Sequence, residues 1–197
     1  MADQFDDDDD AINLDDYPTL LATAQFLKTI PTISWFENIG APLDANLELD
    51  AHAYLDALGF PDAAIATVGG WEDAAYAIGN PDWNSDWWET EEQVRAGLTT
   101  AALETVGEED LEAAIAHLNE IMTDIIPEVI RVSAAYGGVS DDDVIMAAVG
   151  AATQACHVAA LVVLAAEEED HSMALKFRLF EAGRWPLGVT GNSFHLF

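Results

Sequence analysis

Apolar residues recur along most of this chain at intervals of three and four, the signature of helices buried on one face. Asp16-Tyr17-Pro18 opens the first such segment, Leu20, Leu21, Ala24 and Leu27 stand in phase, and Pro31 ends it. Residues 32–38 read as a short helix closed by Gly40. Asp44 is an apt N-cap for 45–58, where Leu47, Ala51, Leu55 and Leu58 share a face and Gly59 stands just past the end. Two short pieces at 63–67 and 71–78, parted by Gly69-Gly70, precede the turn Asn80-Pro81-Asp82. Longer helices follow, at 86–105 with Val94, Leu98 and Ala101 in phase, and at 109–136 with Leu111, Ile115, Leu118, Met122, Ile125 and Val129. Pro127 inside the second pattern predicts a kink or a break. Ser140 with Asp143 three residues on resembles a capping box and opens a helix reaching about Ala166. A last helix over 172–181 carries Met173, Phe177 and Phe180.

The pattern then changes. Residues 187–190 and 193–197 flank Gly191-Asn192, a two-residue hairpin signal, with Trp185, Phe194 and Phe197 as anchors. No repeat is visible, and no alternation of strand and helix points to a parallel sheet. The pattern predicts an all-α fold, a helical bundle of about seven to nine helices around a central Ala-rich buried helix, with a short C-terminal β-hairpin. Residues 1–14 are expected to form an acidic disordered tail and 15–197 a single helical domain.

Composition restricts the partners. There are 37 Asp and Glu against 6 Lys and Arg, a formal net charge of -31. Yet 51% of residues are hydrophobic, so the chain is not too polar to fold. So few cations argue against binding nucleic-acid phosphates or an anionic membrane. Residues 144–166 carry no formal charge and are long enough to span a bilayer. Their many alanines and acidic flanks, Asp141-Asp142-Asp143 and Glu167-Glu168-Glu169-Asp170, instead predict a buried core helix and no membrane partner. The first residues lack a basic stretch followed by an apolar one, so a cytoplasmic location is expected. The abundance of Asp and Ala and the scarcity of Lys resemble proteins adapted to salt, in which screening relieves repulsion among carboxylates. A lone cysteine, Cys156, rules out an internal disulfide and a cysteine-based zinc site.

Candidate chemistry is sparse. There is no Gly-rich phosphate loop and no nucleophile elbow. Cys156 and His157 are neighbours, which on a helix point about 100° apart and cannot act as nucleophile and base. Thr153, Gln154 and His157 share one arc of the central helix. They predict either a structural hydrogen-bond network or a small apolar-walled pocket with His157 as its ligand or acid–base group. Trp71, Trp83, Trp87 and Trp88 crowd one stretch with Tyr76, ringed by Asp82, Asp86, Glu89, Glu91 and Glu92. They either plug a loop onto the bundle or form a platform for a cationic ligand or a basic protein surface. Lys176, Arg178 and Arg184 gather near the end, where they pair with nearby acids, 167–170 or Glu181, or where Arg184 holds an anion together with His195. His117-x-x-Glu120 and Glu168-x-x-His171 have the spacing of helical carboxylate–histidine metal sites, and on antiparallel helices they would converge.

The resulting expectation is a soluble acidic helical binding or interaction domain without catalytic activity and without a cofactor. Its partner would be a small molecule or a basic protein surface, and the tryptophans and the hairpin offer surfaces for a homo-oligomer. The alternative is a divalent-metal-dependent enzyme using His117, Glu120, Glu168 and His171. A third reading is an acidic decoy for a basic surface.

Overall fold

The computed structural model describes residues 18–80 and 85–197; the expected tail at 1–14 and Trp83 lie outside them. Among the described residues seven α-helices occur, in the order α1 (Pro18–Leu27), α2 (Ala45–Ala57), α3 (Trp71–Gly79), α4 (Ser85–Val106), α5 (Glu108–Tyr136), α6 (Asp142–Leu164) and α7 (Ser172–Glu181). A 3₁₀ turn, Ile30–Thr32, follows α1. Strand β1 (Ala64–Ala66) lies between α2 and α3, and β2 (Pro186–Thr190) and β3 (Ser193–Leu196) end the chain. The fold is a helical bundle with a small sheet at its C-terminal end.

The central Ala-rich helix is α6. It is long and apolar enough to cross a membrane by length and composition. Here α1, α3, α4, α5 and α7 all pack against it. Its N-cap is Asp141 rather than Ser140: the Asp141 carboxylate accepts the Asp143 N–H at 2.9 Å, placing negative charge at the positive end of the helix. Helix α5 runs through Pro127 without a break. Proline leaves the Thr123 carbonyl without its helical partner, but Thr123 is exposed and water can replace the lost bond. The buried seam Leu118, Met122, Ile126, Ile130 and Ala134 stays intact on the other side. That seam steps by four throughout, so beyond Met122 it moves off the Ile125–Val129 line and onto Ile126 and Ile130.

Residues 35–40 are turns, and the helix expected over 32–38 does not form. Phe36 sits at φ 59°, a left-handed conformation uncommon for an aromatic residue. On a helix Trp35 and Phe36 would point about 100° apart. The left-handed residue lets both enter one aromatic cluster with Phe180, while Phe36 also meets Trp71 and Trp185. Packing of two full rings outweighs the backbone cost, of order 1–3 kcal/mol.

The hairpin gains a third strand. β1 pairs in parallel with β3, Ile65 opposite Phe194, so the sheet order is β1-β3-β2. A run of three residues is too short to announce itself as a strand by alternation. The Asn192 side chain donates to the Asp62 carbonyl at 2.9 Å, fastening β1 to the turn.

Two groups of buried side chains make the core. One gathers Trp35, Phe36, Trp71, Phe177, Phe180 and Trp185 with the seam of α5. The other gathers Leu47, Tyr54, Trp87, Met173, Leu179 and Phe194. α6 and α7 contribute to both, Phe177 and Phe180 to the first, Met173 and Leu179 to the second. The boundary between the groups therefore runs along these two helices.

Candidate functional site

A cavity of about 310 Å³ opens at that boundary, between α4, α6, α7 and the start of β2. Its volume lies at the lower end of the range for small-molecule sites, about 300–1,000 Å³. The wall on α6 is Ala147, Ala151 and Ala155, one helical turn apart. Three short side chains in a row leave room that longer ones would fill. Phe177, Phe180, Trp185 and Leu187 line it from α7 and the start of β2, and Trp87 and Trp88 from α4.

The inner end is polar and buried. Glu91 is 3% exposed, and its Oε1 accepts the Tyr54 hydroxyl and the Lys176 ammonium, each at 2.5 Å. Trp87 Nε1–H donates to the Tyr54 oxygen at 3.2 Å. The Lys176 ammonium also lies 5.2 Å from the Trp87 ring centre and 5.9 Å from that of Tyr54, within cation–π range. Burial, reinforced by the Glu91 charge, raises the Tyr54 hydroxyl well above its ordinary value and keeps it a donor. The four residues come from α2, α4 and α7, so the cluster ties three helices together at the floor of the cavity. Gly188 on β2 makes the approach of Trp87 possible: a Cβ there would lie 2.6 Å from the indole. Arg95, one turn after Glu91, completes the polar side. It pairs with the exposed Glu92, while its Nε is buried and, among the described residues, has no hydrogen-bond partner.

The residues singled out by sequence are dispersed. The arc Thr153, Gln154 and His157 is divided: Gln154 lines the cavity, whereas His157 Nε2 lies 2.6 Å from Asn119 Oδ1 on α5. Burial holds the His157 imidazole below its ordinary value, favouring the neutral ring. The tryptophan cluster is divided too. Trp71 packs in the aromatic core near Gly137, Trp87 is buried at the cavity and Trp88 is partly exposed at its edge. Arg184 is 4% exposed and donates to the carbonyls of Asn38 and Ala41 through Nη1 and of Pro42 through Nη2, at 2.5–2.6 Å. It clamps the loop before α2.

The donors of the metal reading are not gathered. His117 and Glu120 face solvent on α5 at 3.8 Å from each other, and Glu168 is exposed. Among the described residues no group of three or more His, Cys, Asp or Glu side chains is placed to hold a metal ion. His171 has another task, because its Nδ1 accepts the Met173 N–H at 3.1 Å and caps α7. Cys156 is buried among apolar side chains, and burial pushes its thiol up to about 12.

The His171 cap predicts a pH dependence. Burial holds His171 below its ordinary 6.5, against the opposing pull of Glu167 and Asp170. A folded value below the unfolded one means stability present above 6.5 and lost as pH falls through the folded value. Protonation also removes the acceptor that caps α7. The melting temperature is expected to fall between about pH 7 and pH 5, and the fall should shrink in His171→Asn, whose side chain caps at either pH. Equal slopes for the two proteins would remove His171 from this role.

Sequence reasoning missed Tyr54 and misassigned Lys176, which pairs with Glu91 on α4 rather than with 167–170 or Glu181. The signal was present in phase. Tyr54 follows Leu47 and Ala51 on the buried face of α2, Glu91 lies one turn after Trp87, and Lys176 lies between Met173 and Phe180. A polar residue on each of three apolar stripes must find partners inside. Known protein families, curated proteins and solved structures offer no match to this chain.

Proposed function

We propose that this chain is a non-catalytic helical binding domain that holds a small, largely apolar molecule between α4, α6, α7 and β2. The observation that carries this reading is the cavity itself, an alanine-walled space faced by aromatic rings and floored by a hydrogen-bonded polar cluster. Sites of this make-up enclose an apolar body and fix its orientation with a few polar groups. A binding role is favoured over chemistry because the hydroxyl, carboxylate and ammonium are engaged with one another.

The test is to fill the cavity. N-phenyl-1-naphthylamine, a neutral apolar dye that brightens out of water, is expected to bind the protein with saturable fluorescence. Ala151→Trp should abolish the signal while the protein still melts cooperatively. Undiminished dye binding by this variant would place the dye elsewhere and remove the reading.

A further inference from the structure

Resting on that binding reading, we infer that the cavity selects an amphiphile with an anionic head, a medium-chain or aromatic carboxylate, seated with its carboxylate toward Lys176 and Arg95. The distribution of charge carries the inference. The whole chain has six cations and a net charge of -31, yet two of the six, Lys176 and Arg95, line this one cavity. Among the described residues its lining contains a single acid, Glu91. That carboxylate is already neutralised by Lys176 and hydrogen-bonded by Tyr54. The lining itself therefore carries one net positive charge, that of Arg95, whose ion-pair partner Glu92 is exposed and stands outside the lining.

Donor capacity agrees with the charge. An ammonium has three N–H groups, and the Glu91 contact occupies one of those of Lys176. The Arg95 Nε–H is buried and, among the described residues, has no hydrogen-bond partner. An unmet buried donor is costly, and a carboxylate arriving there would satisfy it with a charge-assisted bond. The apolar remainder of the ligand would lie along Ala147, Ala151 and Ala155, facing Phe177 and Leu187. A cationic amphiphile would meet Lys176 and Arg95 with like charge and find Glu91 already taken.

Displacement of bound N-phenyl-1-naphthylamine by decanoate, decanol and decylamine tests this. High salt in every arm screens the attraction or repulsion of the exposed acids. Decanoate is expected to displace the dye at a concentration lower than decanol by about ten-fold or more, the worth of one charge-assisted hydrogen bond. Lys176→Met and Arg95→Gln should each bring decanoate close to decanol, with both competitors compared at that variant's own dye affinity. Arg95→Gln serves if Lys176→Met folds poorly, because the ion pair it breaks is with the exposed Glu92. Decanol matching decanoate, or decylamine surpassing both, with the dye still bound, would overturn the anionic head and leave the binding reading standing. Failure of the dye itself to bind at the cavity would overturn both.

Discussion

Glu91→Ala is expected to destabilise the protein by about 3–5 kcal/mol, because it removes one half of a buried ion pair. The loss arises from what remains behind. Lys176, with only 17% of its side chain exposed, loses its carboxylate partner, and the Tyr54 hydroxyl, fully buried, loses its acceptor. Replacing the pair together tells a different story. Glu91→Met with Lys176→Met removes both charges and fills the space with apolar atoms, so it should cost clearly less than the sum of the two single changes. Urea denaturation of the wild type, both single variants and the double variant closes the cycle. A Glu91→Ala cost within about 1 kcal/mol would show the pair to be solvated, as exposed ion pairs are. It would also remove the polar floor from the cavity.

The same cluster shows what a sequence can disclose here. Helical stripes, Gly and Pro punctuation and the Asp44 cap located the helices, because each is a local signal acting within a turn or two. The Gly191-Asn192 turn located the hairpin for the same reason. β1 was not legible, since its pairing partner lies more than a hundred residues away at β3. Phe36 was not legible either, because its left-handed backbone answers to rings brought in by α3, α7 and the segment before β2. The candidate site falls between these cases. Each polar residue was visible as an oddity on its own apolar stripe, yet nothing local says that Tyr54, Glu91 and Lys176 meet. The arc on α6 was placed about one residue off the cavity wall, a rotation of about 100°. Thr153 and His157 entered the expectation while Ala147, Ala151 and Ala155 did not. Small residues carry no chemistry and attract no notice, although here their shortness makes the space.

Arg184→Met is expected to cost about 3–5 kcal/mol, and Arg184→Lys to recover only part of it. The guanidinium sits just beyond α7 and reaches into the loop that leads to α2, giving one N–H each to the Asn38, Ala41 and Pro42 carbonyls. Asn38 returns the connection, its backbone N–H bonding the Gly183 carbonyl at 3.0 Å and its side chain the Ala182 carbonyl at 2.9 Å. Burial draws the Arg184 pKa down, opposed by Asp44, the residue that caps α2. Methionine fills the volume but strands three carbonyls. Lysine keeps the charge, but one nitrogen cannot present the spread of a planar fork to three acceptors. The consequence reaches the cavity, because α2 carries Tyr54, and loosening the 38–42 loop frees the helix that positions the hydroxyl on Glu91. Thermal melts in the presence and absence of sulfate separate this clamp from the anion site that Arg184 and His195 suggested in sequence. A clamp predicts the same loss in both conditions. Sulfate-dependent stability in the wild type that disappears in Arg184→Met would instead return the guanidinium to an anion.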